Sequence, residues 1–337
     1  MHMADALITP AVGGVMLAVS AGAIGYSAKK VKEELDDRKV PLMGVMGAFV
    51  FAGQMINFTI PATGSSGHIG GGILLAALLG PHAAFLVISA VLLIQALFFA
   101  DGGLLALGCN IFNMGFFACY VVYPLIYKAI INKNFSAKRI TAASVSSVVI
   151  GLQLGAFAVV LETLISGITE LPFGSFVLLM QPIHLAIGLG EGIATAAVLS
   201  FVLKSNPMLL DGYQAQEVTV KMQSRKVVVI LLAAAVIIGG FVSLFASGNP
   251  DGLEWSMEGV AGTAELESDS AAHNAAASLQ QIFSFLPDYG FKGGSEENAA
   301  AGTSVSGIVG GGITLGLAGL TGYLITKTKK KKVKCQS

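Results

Sequence analysis

Ile8-Thr-Pro-Ala-Val-Gly-Gly-Val-Met-Leu-Ala-Val-Ser-Ala-Gly-Ala-Ile-Gly-Tyr-Ser-Ala28 runs directly into Lys29-Lys-Val-Lys-Glu-Glu-Leu-Asp-Asp-Arg-Lys39. The first stretch is apolar and uncharged, and at about 20 residues it has the length that crosses a bilayer as a helix. The second is charged and rich in Lys and Arg, and such loops stay on the cytoplasmic side. Together they describe a membrane helix that starts outside and ends inside. Gly13, Gly14, Gly22 and Gly25 are expected to let neighbouring helices approach it closely.

Composition agrees. Of 337 residues, 54% are hydrophobic and 12% charged, where a soluble domain carries about 25% charged residues. Mean hydropathy is +0.75. The fold class expected is an all-α polytopic membrane protein whose solvent is the lipid bilayer, with no nucleic-acid partner. Net charge is zero, but the charges are segregated. Cys109, Cys119 and Cys335 are too scattered for a disulfide framework or a CxxC metal site.

Working outward from Lys39, Leu42–Phe58 returns to the outer side and Pro61 stops it. The loop through Thr63, Gly64, Ser65, Ser66 and Gly67 then delivers His68 outside. A second basic loop, Lys128–Arg139, belongs inside, so an even number of crossings must separate it from the first. Leu42–Phe58, Ala83–Phe99 and Leu104–Ile131 make three. The short segment Ile69–Gly80, with Gly70, Gly71 and Gly72, must supply the fourth. So short a segment survives at membrane depth only when buried in protein, which puts it inside the bundle. Asp101-Gly102-Gly103 is an outer turn. Ile140–Ile165 and Phe173–Leu203, joined outside by Ser166–Pro172, complete a seven-span module over residues 1–205. A cytoplasmic linker (206–226) follows. A second module (227–326) has spans Val227–Ala246 and Gly307–Ile325 around an outer loop, 247–306. A basic cytoplasmic tail, 327–337, ends the chain. The expectation is nine spans, with the N-terminus outside and the C-terminus in the cytoplasm. The outer loop holds nine acidic residues against Lys292 and reads as a solvated segment before a surface that, with His273, gathers cations by steering. There is no internal repeat of the kind inverted-repeat transporters show.

The outer start of the chain carries chemistry. Met1-His2 offers a terminal amine, the His2 amide once deprotonated, and the His2 imidazole, which close adjacent chelate rings around a divalent metal. A fourth nitrogen completes a square plane, which suits Ni(II) or Cu(II). His68 is the nearest donor expected on the same face. The chain has no basic n-region and carries Asp5 ahead of its first span, so no cleaved signal peptide is expected. A bulky second residue also favours retention of Met1. Binding must release protons from the amine and the amide, so affinity should fall as pH drops.

Polar groups within spans usually face the bundle interior. Asn110 and Asn113, three apart on one helix face, are read as interhelical hydrogen-bonders or as supports that fix a histidine tautomer. Ser65, Ser66 and Asp101 are further candidates to orient the ligands. His184 and Glu191 lie two turns apart on one face, and are read as structural or coupling groups before metal ligands or a proton relay. Glu162 is weighed the same way. His82 falls near the inner side, away from capture. No P-loop and no His-Glu-x-x-His motif is present, so ATP chemistry would lie on another chain and a zinc protease is disfavoured.

Four ordered blocks resemble one family. They are Met1-His2…Asp5; Asn57…Gly64-Ser-Ser-Gly-His68-Ile-Gly-Gly; Asp101-Gly-Gly…Leu107-Gly-Cys-Asn-Ile-Phe-Asn-Met114-Gly; and His184…Gly188-Leu-Gly-Glu-Gly192. Together, over residues 1–205, they resemble the CbiM/NikM family, the substrate-capture (S) components of energy-coupling-factor transporters for cobalt and nickel. Residues 227–326, with Asn249-Pro-Asp-Gly-Leu-Glu-Trp255 after a span, look like a PDGLE-type N component fused to it. The resemblance implies a metal held by Met1, His2 and His68. It also implies a membrane T component and two ATPase subunits as partners, and inward release as the S component topples in the membrane. The family usually has Ile-Pro-Asp-Gly after Met-His, whereas this chain has Met3-Ala-Asp-Ala6.

The function expected is capture of Ni(II) or Co(II) as transported substrate at a prokaryotic cell membrane, by ligation rather than catalysis. A stand-alone secondary transporter or cation channel is the alternative, separable by its independence of an ATPase. A membrane enzyme built on His184 and Glu191 is a third reading, and its activity would survive loss of His2.

Overall fold

The computed structural model describes residues 1–34, 39–132, 134–214, 222–264, 266, 268, 270–293 and 298–334. Residues 35–38 of the first basic loop, Lys133 of the second, 215–221 of the linker, Glu265, Glu267, Asp269, Glu296 and Glu297 of the acidic loop, and Cys335 lie outside that description.

Among the described residues the chain is helical apart from one short ladder. The helices of the first module are α1 (Pro10–Glu34), α2 (Val40–Gln54), α3 (Gly72–Leu79), α4 (Pro81–Phe99), α5 (Leu107–Ile131), α6 (Ala137–Ser166) and α7 (Phe173–Ser205). Those after the linker are α8 (Ser224–Gly240), α9 (Gly252–Ala261), α10 (Ala271–Phe283) and α11 (Ala299–Lys334). The ladder pairs β1 (Phe58–Thr59) with β2 (Ser66–Gly67), antiparallel, Phe58 opposite Gly67. It closes the loop that carries His68.

Six helices, α1, α4, α5, α6, α7 and α11, are long and apolar enough to cross a membrane. The protein is a polytopic helical membrane protein. Two shorter helices are central instead. In α2 every residue from Leu42 to Gln54 is buried, and in α3 every residue is buried. A helix apolar all round belongs in the middle of a bundle. α2 packs against α8 and α11, so residues after the linker build part of the same core. Asn206 ties the linker's two edges, donating to the Met222 carbonyl and to Ser224 Oγ.

Only one of the four glycines expected to admit a neighbour to α1 does so. A Cβ on Gly13 would lie 2.8 Å from the Leu105 carbonyl oxygen, whereas Gly14, Gly22 and Gly25 have nothing within 4 Å. α1 lies at the periphery, with 17% of its apolar window buried, so most of its surface meets no helix. The close crossing is made by Gly108 of α5, whose bare Cα faces the backbone of Met16 and Leu17.

The loops fall into two groups. Lys39, Gly80, Lys128 and the linker meet at one end. There Asp211 pairs with Lys39 (3.0 Å) and Lys128 (3.4 Å), accepts from Tyr123 Oη (2.9 Å), and donates its backbone N–H to Ala77. The other group gathers around Met1. Thr9 N–H donates to Ser166 Oγ, Ser66 N–H to the Pro250 carbonyl, and Tyr289 Oη to Asp101.

The segment 247–293 is not the solvated loop its composition suggests. Asp251 opens α9 with a capping box, its side chain accepting from the Leu253 and Glu254 amides while Glu254 reaches back. α9 then packs along α7, and Trp255 Nε1 donates to the Thr63 carbonyl. On α10, buried His273 bonds the Asp5 and Ile8 carbonyls. Among the described residues the segment is a cover over the chain's start. Its acid-rich average conceals the apolar faces of two short helices.

Candidate metal centre

The first residues do not fray. Met1 is 6% exposed and Met3 fully buried. Asn110 on α5 clamps Met3 from both sides, its Oδ1 accepting the Met3 amide (2.7 Å) and its Nδ2 donating to the Met3 carbonyl (3.1 Å). Gly103 N–H donates to the same carbonyl at 2.9 Å. Gly102 has φ +83, and a Cβ there would press on Asn110 Nδ2 at 2.9 Å and His2 Cβ at 3.3 Å, so the turn after α4 needs glycine. Asp5 accepts the Ala106 amide at 2.9 Å. The tail is thus fixed with a Met-Ala-Asp-Ala sequence after His2.

With Met3 fixed, Met1 and His2 face inward. The Met1 amine lies 2.9 Å from His68 Nε2 and 2.5 Å from Asp251 Oδ2. The His2 and His68 rings stack, with centroids 5.1 Å apart and planes at 17°. His68 Nδ1 lies 3.2 Å from the Ile69 carbonyl, an acceptor, so Nδ1 carries the proton and Nε2 presents its lone pair to the amine. His2 is held differently. Its Nδ1 is 3.1 Å from Asp101 Oδ1 and its Nε2 is 3.2 Å from Gln95 Oε1. The structure therefore pairs Met1 with His68, and turns both His2 ring nitrogens to other partners.

Electrostatics keep the imidazoles available. Burial, then the Met1 ammonium, bring His2 down to about 3; burial, the Met1 ammonium and His2 do the same to His68. Both rings stay neutral, the state that binds metal. Burial pushes the Asp101 carboxyl up. A neutral His2 has one proton for the two oxygens that face its ring. Burial acts to raise Asp251 too, but the Met1 ammonium and His68 outweigh it and hold that carboxyl low.

The other sequence candidates divide. Ser65 and Ser66 are buried and bond the Asn249 and Pro250 carbonyls of the cover. Asn113 donates to Glu162 (2.7 Å) and contacts Met3 Sδ (3.6 Å). Neither Asn110 nor Asn113 bonds a histidine; both serve the tail and its surroundings. His184 and Glu191 line, with Met1, His68, Asn113 and Asp251, a small cavity of about 40 Å³. Glu191 accepts the Gly71 amide at 2.8 Å and so anchors the start of α3. Three groups at the centre were absent from the sequence expectations. Gln95 is an uncharged polar residue in an apolar span, a signal in itself. Asp251 was one acid among nine, and Tyr289, which donates to Asp101 and accepts from Gln95 Nε2, carries no signal.

Among the described residues no three His, Cys, Asp or Glu side chains form a metal-binding group. The described residues thus enclose the amino terminus and His68 within an apolar bundle of membrane-length helices, the interior of a polytopic membrane protein.

The comparisons with known proteins agree. The profile of CbiM, the cobalt uptake substrate-specific transmembrane region, matches residues 2–209, and that of the PDGLE domain matches residues 225–327. A putative fused nickel transport protein NikMN of Archaeoglobus fulgidus is 36% identical over 213 residues, 63% of this chain and 68% of that one. A cobalt transport protein CbiM of Clostridium tetani is 31% identical, over 60% of this chain and 85% of that one. The crystal structure of a truncated transition metal transporter aligns with a TM-score of 0.54 at 31% identity, covering 60% of this chain and 99% of that one. The chain belongs to the CbiM/NikM family of nickel and cobalt uptake proteins, here fused to a PDGLE-type N component.

Proposed function

We propose that this chain is the substrate-capture component of an energy-coupling-factor importer, and that it holds Ni(II) or Co(II) through Met1, His2 and His68. The four donors are the Met1 amine, the deprotonated His2 amide, the His2 imidazole and His68 Nε2. The observation that carries this reading is the 2.9 Å between the Met1 amine and His68 Nε2. With metal–nitrogen bonds of about 2.0 Å, neighbouring corners of a square lie about 2.8 Å apart, so the pair already spans one edge. The amine and the His2 amide share a five-membered chelate ring, which sets the next edge. Swinging the His2 imidazole off Asp101 closes the plane. The ammonium and the amide would each release a proton to solvent as the ion binds.

Residues 1–205 form the capture module in this reading, 206–226 the inner linker, and 227–326 the N-type module whose cover lies over the site. The chain crosses the membrane nine times, with Met1 toward the outside of the cell membrane and the 327–337 tail in the cytoplasm. The two separate groups of loop contacts support that path. A membrane T component and two ATPase subunits complete the importer, and toppling of the capture module releases the ion inward.

Nickel and cobalt titration of the purified protein tests this. Acetylating the Met1 amine, or inserting Ala between Met1 and His2, removes a donor or the chelate ring and should abolish high-affinity binding. Unchanged binding in either form refutes the role of the tail. Uptake in cells that persists without any partner ATPase would favour a stand-alone transporter.

A further inference from the structure

His184 stands against the proposed plane with one nitrogen spare. It sits about a third of the way along α7 and is 1% exposed. Its Nδ1 donates to the Met180 carbonyl at 2.8 Å, one turn back on the same helix. That bond leaves Nε2 as a bare acceptor, and among the described residues Nε2 has no hydrogen-bond partner. A buried polar atom left so costs on the order of 1–3 kcal/mol, so an empty lone pair here needs a reason. Pro182, two residues earlier, lies inside the helix.

What Nε2 faces is the metal chamber. His184 lines the same cavity as Met1, His68 and Asp251. Gly252, next to the Asp251 that pairs with the Met1 amine, packs on the imidazole. A Cβ at 252 would stand 3.1 Å from His184 Cε1 and 3.3 Å from Nε2, within the space that the ring and chamber share. The second polar group of α7 in the cavity, Glu191, accepts the Gly71 amide through Oε1, while its Oε2, like His184 Nε2, has no hydrogen-bond partner among the described residues.

We infer that His184 Nε2 is an axial nitrogen donor to the captured ion, and that it favours cobalt over nickel. The inference rests on the four-nitrogen plane proposed above. In a strong-field plane of four nitrogens, d8 Ni(II) fills the orbital that points along the axis and repels a fifth ligand. Low-spin d7 Co(II) half-fills it and accepts one. A single imidazole on the axis therefore adds a bond to cobalt that nickel forgoes, which is selection by geometry rather than by donor type.

Electron paramagnetic resonance of the full chain loaded with Co(II) alone tests it. One axial ¹⁴N splits each cobalt line into three. The wild-type protein should show the triplet, and His184→Gly should lose it. Adding ¹⁵N-imidazole to H184G should restore the coupling as a doublet, because the ¹⁵N nucleus has spin one-half. His184→Gln, which fills the space with a poor donor, should lose the triplet and lower the cobalt-to-nickel affinity ratio by about ten-fold. Bound cobalt that is high-spin, that lacks axial nitrogen coupling in the wild type, or that keeps the triplet in H184Q overturns the inference. Failure of the plane itself has a different signature, namely Co(II) binding that is absent or indifferent to an Ala inserted after Met1.

Discussion

Met1 has two partners of opposite use. His68 Nε2 is its co-ligand in the proposed site, and Asp251 is a counter-ion for the ammonium. Removing the counter-ion loosens the unloaded tail. Asp251→Asn should raise the reactivity of the Met1 amine toward acylating reagents roughly ten-fold in metal-free protein, since a largely buried charge loses its pair. Equal reactivity would show that Asn110 and Gly103 hold the tail unaided. The pH dependence separates the donors. His2 and His68 have pKa values near 3 in the fold against an ordinary 6.5. A lowered histidine pKa stabilises the fold above 6.5, and the contribution drains away as pH falls from 6.5 toward 3. Above that range the rings do not compete for protons, so metal bound in the proposed site would displace protons from the main-chain donors only. Nickel affinity should fall by about 100-fold per pH unit where both are protonated, the signature of two protons. A slope of three or four protons in competitive titrations between pH 5.5 and 7 would mean that the imidazoles titrate too. At this scale the sequence was informative about which groups gather: the Met1 amine lies beside His68 and the His2 ring stacks on it. It was silent on Asp251 and Tyr289, because which of many acids or tyrosines reaches a site 250 or more residues away is decided by packing.

Between helices, the cover is the element that composition misrepresents. Two apolar faces on short helices do not raise the average of a segment rich in Asp, Glu, Gly and Ala, yet they decide where it docks. Trp255 anchors α9. Its indole N–H bonds the Thr63 carbonyl at 3.0 Å and its ring packs beside Phe58, Ile60, Ile183 and Ile187. Trp255→Ala should cost about 3 kcal/mol of docking. Because Ser66 N–H is bonded to the Pro250 carbonyl, its amide should then exchange with solvent markedly faster, by mass spectrometry of the peptide that contains Ser66. Exchange unchanged at Ser66 but faster within α9 would mean that the cover melts without leaving the loop. The short helix α3 was legible for the opposite reason. The charges at Lys29–Lys39 and Lys128–Arg139 constrain what lies between them, so counting crossings located a buried segment that hydropathy length alone leaves out. The glycines of α1 were not legible, since a small residue permits a close neighbour and does not supply one.

Across the whole molecule, Asp211 bears on how many times the chain crosses. Lys39 and Lys128 both reach it, so the starts of α2 and the end of α5 share one end of the bundle. From His68 to Gly80 the chain has four residues before α3 and eight within it, a reach of at most about 26 Å. The hydrocarbon core is about 30 Å thick. If Gly80 lies at the inner surface, the metal chamber sits below the outer one, and the cover fills the gap above it. Sidedness can be read with single cysteines in a background without the native three. Ser278→Cys, exposed on α10, should react with a membrane-impermeant maleimide in intact cells, whereas Lys204→Cys, exposed at the end of α7, should react only after permeabilisation. The reverse pattern, or labelling of both from outside, would break the nine-crossing path, because it would place the metal-facing end or the Asp211 end on the wrong side of the bilayer.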